Sequence, residues 1–329
     1  LGITSRNEHY GMAQYPSTAG IRIGEGSMAT LTQIQPESSI LNPKEIAKSY
    51  LELAKLRIVT LLLFTTLTAM IIAADGIPTL SILIPTLIGG AFAAAGASSI
   101  NQFIDRDMDA LMARTARRPI PSGRIQPINA LIYGSALLAW SVLILGVWVN
   151  WLAAGLALFG GLYYVILYTL ILKRNTVVNI LIGGGAGAVP VLVGWAAVTG
   201  TLNYSAFILF AIVFYWTPPH SWALALLVNK DYTLANVPMM PVAKGETTTR
   251  QQILLYSIQL LLITLLPLPF QTLGPLYTVS ALLLGLGLIY RSLVLIRVAD
   301  GAEARNTYKY STAYLAFLFM SMILDRLLL

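Results

Sequence analysis

Read from residue 50 onward, the chain is a series of apolar runs separated by short polar breaks, with no strict alternation of the kind that marks a half-buried strand. Runs of about 20 apolar residues are long enough to cross a bilayer as helices. Nine are predicted, at 56–74, 80–100, 127–149, 151–171, 179–199, 204–228, 251–269, 274–296 and 310–328. The breaks alternate in character. Those after the odd-numbered runs are terse, namely Asp75 to Thr79, Asn150, Gly200 to Asn203 and Gln271 to Leu273, whereas 101–126 and 229–250 are long and charged. Functional side chains concentrate on loops held by a rigid scaffold, so chemistry is expected on the long-loop side. Residues 1–44 are polar and rich in Gly, Ser, Thr and Pro, and they lack the apolar core of a signal peptide. They are expected to be a disordered cytoplasmic tail ahead of an all-α, nine-helix membrane domain over 45–329. The chain starts at Leu1, as expected of a trimmed N-terminus.

Composition agrees with this pattern. Hydrophobic residues make up 57% of the chain and charged residues 11%, against an ordinary charged share of about 25% in soluble domains. With nine spans, all but Arg326 of the 21 Lys and Arg fall in the tail or beside the breaks after even-numbered runs. An even number of spans would scatter them over both faces, so the positive-inside rule places the N-terminus in the cytoplasm. The net charge of +7 thus expresses topology and implies no nucleic-acid partner. Cysteine is absent, which excludes disulfides, thiolate metal sites and covalent haem attachment.

The chemistry-bearing residues sit in two of the charged breaks. Asn101, Asp105 and Asp109 are spaced i, i+4, i+8 and share one face of a helix that continues past Ile100. Magnesium takes oxygen ligands and is commonly held by one or two carboxylates together with substrate phosphates. A solvated acidic helix end would explain the same residues. However, Arg114, Arg117, Arg118 and Arg124 follow within eleven residues, and guanidinium forks bind phosphate oxygens bidentately. The second segment begins at Asp231 after the sixth run and carries Lys244, while Lys173 and Arg174 after the fourth run add cations on the same side. His220, in Tyr215-Trp216-Thr217-Pro218-Pro219-His220, is an ionisable group at membrane depth. It is either functional or bonded to a carbonyl freed by the prolines. A helix ending in acids and followed by a basic loop occurs after run two and again after run six, a coarse internal echo.

Two further patterns are discounted. Gly183-Gly184-Gly185-Ala186-Gly187 imitates a dinucleotide fingerprint but follows no strand, and small residues there suit close helix packing. Asp300-Gly301-Ala302 begins like a CDP-alcohol phosphotransferase signature, but Arg297 stands where an Asp is required and the downstream acids are missing.

The segment Asn101-x3-Asp105-x3-Asp109, the nine runs and a second Asp-bearing loop resemble the UbiA-type intramembrane prenyltransferases. Four longer strings resemble one branch, the protohaem IX farnesyltransferases or haem O synthases. They are Asn101 to Asp109 running into Met112-x-Arg114-Thr-x2-Arg118-Pro119, Tyr168-Thr-x2-Leu172-Lys173-Arg174-x-Thr176-x2-Asn179-Ile180, Trp216-Thr-Pro-Pro-His220-x-Trp222, and Asp231-Tyr232-x5-Pro238-Met-x-Pro241. The resemblance covers residues 50–329. The superfamily often reads D-x-x-x-D in the second loop, and here Ala235 replaces the second acid, as in the haem-modifying branch.

The resemblance implies transfer of farnesyl from farnesyl diphosphate to a vinyl group of protohaem IX, giving haem O on the route to haem A. Asn101, Asp105, Asp109 and Asp231 would be the catalytic, Mg2+-holding set. Arg114, Arg118, Lys173, Arg174 and Lys244 would hold the diphosphate. Tyr168, Trp216 and His220 would face haem or prenyl chain, with Tyr163 and Tyr164 offering further aromatic faces. It also implies a multi-pass protein of the cytoplasmic (inner) membrane in contact with lipid, a cytoplasmic-side site, and haem A synthase or oxidase-assembly partners. A quinone- or chlorophyllide-modifying prenyltransferase is the same-class alternative, and a transporter the alternative from another class.

Overall fold

The computed structural model describes residues 42–328, and among these it is helical without strands. The expected tail therefore lies outside the described residues except for Asn42 to Lys44, which open the first helix. That helix, α1 (Pro43–Ala54), was not expected. Asn42 accepts from the Lys44 backbone N–H while Glu45 reaches back to the Asn42 N–H, a reciprocal cap written in the sequence as Asn-Pro-Lys-Glu.

Then follow α2 (Leu56–Ala73), α3 (Leu80–Ile104), the short α4 (Arg106–Leu111), α5 (Pro127–Trp148) and α6 (Trp151–Leu162). The last continues unbroken as a π-helix, Tyr163–Leu172. After it come α7 (Asn179–Thr199), α8 (Tyr204–Leu227), α9 (Asn229–Leu234), α10 (Met240–Lys244), α11 (Glu246–Thr264), α12 (Pro275–Val298) and α13 (Gly301–Leu328).

Eight of these elements are long and apolar enough to cross a membrane, with α6 and its π-helical extension counted as one. The expected seventh span, 251–269, differs. Its helix starts earlier, in the polar run Glu246-Thr-Thr-Thr-Arg-Gln-Gln, and ends at Thr264. Pro267 and Pro269 lie just beyond, and a proline disfavours helical backbone in the residue before it. The chain turns there through Thr272. α11 nevertheless packs between α8 and α12.

Successive helices neighbour one another around the bundle. α3 lies on α5, α5 on α6, α6 on α7, α7 on α8, α8 on α11, and α12 on α13, while α2 contacts both α7 and α13. Outward positions carry exposed Leu80, Val147, Trp151, Leu283 and Phe317. Such large apolar side chains are compatible with lipid and costly in water. The molecule is an all-α, multi-pass integral membrane protein.

Because lipid is as apolar as leucine, close backbone approach has to supply much of the cohesion between the helices. At the α3–α5 crossing a Cβ on Gly96 would lie 2.6 Å from the Gly134 carbonyl oxygen, and one on Gly134 would lie 2.8 Å from the Gly96 oxygen. Neither backbone can yield. Gly96→Val is expected to destabilise the bundle by about 1–3 kcal/mol, the usual cost of overpacking. A melting curve in detergent that matches wild type would show the crossing to be looser than this. The glycines expected to serve packing do so at three positions, Gly183 under Tyr168, Gly184 against Thr217 and Gly185 against Tyr163.

At the end carrying Asp75 and Arg326 the structure is self-contained. Arg326 pairs with Asp75 at 2.9 Å, and the Asp325 carboxylate accepts the Gly274 and Tyr277 N–H groups, capping α12 from a neighbouring helix.

Candidate active site

The site is built where α1, α3, α4 and the π-helix meet. α3 ends at Ile104 and α4 starts at Arg106, yet helical bonds continue across the joint. The Asp105 N–H donates to the Asn101 carbonyl (2.9 Å) and the Asp109 N–H to the Asp105 carbonyl (2.7 Å). The expected face is therefore preserved. Asn101, Asp105 and Asp109 are buried and point inward, while Asp107 is exposed.

Each inward carboxylate is hydrogen-bonded by one cation and keeps one oxygen without a hydrogen bond, Asp105 being flanked in addition by Arg174. Lys173 Nζ donates to Asp105 Oδ2, and Arg118 Nη1 donates to Asp109 Oδ2 at 2.6 Å. Asp105 Oδ1 and Asp109 Oδ1 are buried with no hydrogen-bond partner among the described residues. Asn101 organises the space between them. Its Nδ2 donates to Asp105 Oδ2 (2.7 Å) and to Thr169 Oγ1 (3.1 Å), and its Oδ1 accepts from Lys55 Nζ (3.3 Å). Asn101 thus orients Asp105 and is already engaged through its carbonyl oxygen, unlike the two carboxylates.

Thr169 and Asn179 belong to the string that carries the resemblance but were assigned no role from sequence, and Lys55 was read only as a topology charge. Lys55 closes α1 in a left-handed backbone conformation (φ 52°, ψ 56°), a strained choice for lysine. The turn is held because Ser98 Oγ and Gln102 Nε2, both on α3, donate to the Leu53 carbonyl at 2.9 Å each. Its side chain is thereby directed to Asn101. Burial, with Arg118 and Lys173 close by, pushes the Lys55 ammonium down to about 7 against the opposing pull of Asp109 and Asp105. Three cations thus crowd two carboxylates. Thr169 is placed by the π-helix, in which its hydroxyl donates to the Tyr164 carbonyl five residues back (2.8 Å). Irregular winding of this sort frequently marks functional positions. Asn179 opens α7 fully buried, with Oδ1 unpaired and Nδ2 donating to the Lys173 carbonyl.

The other expected residues are distributed as follows. Arg174 grips Asp107 through two bonds of 2.8 Å and lies 3.7 Å from Asp105 Oδ1. Those bonds hold the Asp107 carboxyl down at about 2. Since this pair is exposed, where ion pairs contribute at most about 1 kcal/mol, Asp107→Asn should lower turnover by no more than about fivefold in a steady-state assay. A loss equal to that of Asp105→Asn would mean that the inward face has been wrongly identified.

Asp231, on α9, is half-buried and forms no ion pair among the described residues, nor do three carboxylate or histidine side chains cluster as a metal cage there. Its segment still reaches the first loop, as Met108 and Met112 pack against Val237, Met239 and Tyr232. Burial raises the Tyr232 phenol while Arg114 and Arg118 oppose that shift, so those guanidiniums face this loop. Lys244, closing α10, is exposed and is not brought to the carboxylates.

Below the polar groups opens a cavity of about 400 Å³, within the usual range of ligand pockets. Lys55, Tyr164 and Tyr168 line its polar end, and α2, α3, α7 and α8 supply small and aliphatic walls including Gly90, Ala94, Gly187 and Val213. Tyr164 and Tyr168 stack at 5.5 Å. Trp216 and His220 also line the cavity, and the His220 ring bonds the Ser311 hydroxyl at 2.8 Å, not a carbonyl released by the prolines. α8 stays helical through Pro218 and Pro219.

The idle carboxylate oxygens provide the fit test for a divalent cation. Two buried carboxylate oxygens without a hydrogen bond, beside Lys55, Lys173, Arg118 and Arg174, match a metal with an oxyanion bound on it. A buried ion pair is otherwise a poor way to stabilise a fold.

A bundle of membrane-spanning helices with a buried acid–base cluster and an apolar cavity beneath it defines an intramembrane protein whose candidate site has one polar and one apolar compartment. The family model for the UbiA prenyltransferase family matches residues 62–323, and the chain belongs to that family. Relatives named protoheme IX farnesyltransferase are 48% identical in Chloroflexus aurantiacus (87% of this chain, 49% of the relative), 46% in Gloeobacter violaceus (89% and 96%) and 50% in Synechococcus elongatus (84% and 88%). The chain thus spans about half the length of the Chloroflexus relative and most of the two others. Its fold is similar to a digeranylgeranylglyceryl phosphate synthase (TM-score 0.72, 18% identity, 87% of this chain and 100% of that one). It is also similar to a UbiA homologue from Archaeoglobus fulgidus bound to GPP and Mg2+ (TM-score 0.56, 18% identity, 83% and 99%).

Proposed function

We propose that this protein transfers farnesyl from farnesyl diphosphate to a vinyl group of protohaem IX, releasing diphosphate and giving haem O for haem A synthesis. The observation that carries the reading is the pair of buried oxygens without hydrogen bonds, Asp105 Oδ1 and Asp109 Oδ1, among Arg118, Lys173, Arg174 and Lys55, the last of which also lines the apolar cavity. The name borne by relatives at 46–50% identity supports the choice of haem as acceptor.

Mg2+ held by Asp105 and Asp109 would supply Lewis-acid neutralisation of the departing diphosphate. Lys55, Lys173 and Arg118 hold its remaining oxygens in a water-poor site, where such charges act strongly. Asn101 and Thr169 fix the Asp105 carboxylate. Asp231 and Arg114, on or facing the second loop, would meet the diphosphate from the solvent side.

As the C1–O bond of farnesyl breaks, the stacked Tyr164 and Tyr168 rings offer their π-faces to the allylic cation. The electron-rich vinyl carbon bonds to C1. Water adds to the carbocation left beside the macrocycle and gives up one proton, completing the hydroxyethylfarnesyl group. The site would face the cytoplasmic side of the inner membrane, a reading that the basic loops support through the positive-inside rule and one convenient for handing haem O to a haem A synthase. Purified protein given Mg2+, farnesyl diphosphate and haem b should yield haem O by mass spectrometry. Prenylation of a quinone precursor or chlorophyllide in its place would overturn the acceptor.

A further inference from the structure

The cavity has a second polar element, at His220. The His220 ring lies between Trp216 (centroids 4.3 Å apart, planes at 22°) and Tyr308 (4.7 Å, 32°), which fixes its plane. Its Nδ1 is 2.8 Å from Ser311 Oγ. The single proton of that hydroxyl is committed elsewhere, since Ser311 Oγ donates to the Tyr308 carbonyl at 2.8 Å. With its proton on that carbonyl the hydroxyl accepts from the ring, the arrangement in which Nδ1 carries the imidazole proton. An imidazolium without a carboxylate partner is costly at this depth, so the ring is neutral and Nε2 holds a lone pair. No described residue bonds Nε2, and it is not among the sealed, partnerless atoms, so it opens on the cavity that His220 lines. Cysteine, methionine and carboxylate side chains are all missing from the cavity lining, which leaves His220 as its one soft nitrogen donor.

A ring fixed between aromatic planes, with one nitrogen donating to a held acceptor and the other bare, is the arrangement of a metal-ligating histidine. Sandwiching and tautomer control add nothing to packing that a phenylalanine would not supply. We propose that His220 Nε2 is an axial ligand to the iron of the haem substrate, and that Ser311 is the positioning residue that sets its tautomer. The inference rests on the farnesyl-to-haem reading and deepens it. Axial ligation docks the macrocycle face-on to α8 within the same cavity whose polar end holds Lys55 and Tyr168, bringing one edge of the ring toward the diphosphate seat.

The test uses the full chain in nanodiscs titrated with haem b, read by absorbance and by resonance Raman of the ferrous complex, with haem O measured in the same preparation. Wild type should show an iron–histidine stretch. His220→Gln, which keeps an N–H for Ser311 and therefore the fold, should lose it, and added imidazole should restore it. Ser311→Ala should lower the stretching frequency and weaken haem affinity by roughly tenfold. A His220→Gln spectrum identical to wild type, with wild type still making haem O, overturns the ligation and leaves the reaction intact, even if turnover falls. A histidine-ligated wild type that makes no haem O supports the ligation and overturns the reaction.

Discussion

Asp109→Asn should lower turnover by roughly 10³-fold, the several kcal/mol that a lost metal carboxylate costs, without changing the melting temperature. The substitution is nearly isosteric, and the abandoned partner, Arg118, is 23% exposed and can turn to solvent. Asp105→Asn should lose as much activity and also melt lower. Its partner Lys173 is only 12% exposed, and a cation left unpaired at such a site is strongly destabilising. Both variants should insert into membranes normally. Activity and stability therefore part company at one aspartate and fall together at the other. Turnover of Asp109→Asn within tenfold of wild type would remove that carboxylate from the metal set. Equal melting of the two variants would mean that Lys173 is not held where the structure places it.

Lys55→Met should act in opposite directions on function and stability. The methionine keeps the apolar stem and removes the ammonium. A charged hydrogen bond to phosphate is worth about 1.5–3 kcal/mol, so KM for farnesyl diphosphate should rise by roughly 10–100-fold. In the ligand-free protein, however, Lys55 is stripped of water and, to a lesser extent, crowded by Arg118 and Lys173, which is why its ammonium is pushed down to about 7. Relieving that repulsion should raise the melting temperature, and adding diphosphate with Mg2+ should stabilise wild type more than the variant. An unchanged KM, or a variant that melts lower than wild type, would place Lys55 outside the seat.

The inward face of Asn101, Asp105 and Asp109 was legible because helical periodicity alone sorts them from Asp107, and the structure sorts them the same way. Arg118 and Lys173 were legible as cations beside acids. Lys55 was not, since a lysine just ahead of an apolar run reads as a topology signal, and only the left-handed turn at the end of α1 directs it inward. That turn depends on Ser98 and Gln102, more than forty residues away. α1 itself was legible in its capping box. The π-helix was not, because Tyr163–Leu172 is apolar on every side and carries no periodicity to distinguish one winding from another. The early end of α11 was written in Pro267 and Pro269. How the Asp231 segment meets the first loop is set by the packing of Val237 and Met239 on Met108 and Met112, a tertiary contact that no local spacing encodes.

Anomalous diffraction from crystals grown with Mn2+ in place of Mg2+ and a non-cleavable thiolo analogue of farnesyl diphosphate tests the metal–diphosphate seat most directly. A manganese peak bonded to Asp105 Oδ1 and Asp109 Oδ1, with diphosphate oxygens on Lys55, Lys173 and Arg118 and the prenyl chain in the cavity beneath, is the predicted result. Manganese and diphosphate bound elsewhere, with those two carboxylate oxygens still unliganded, would contradict it.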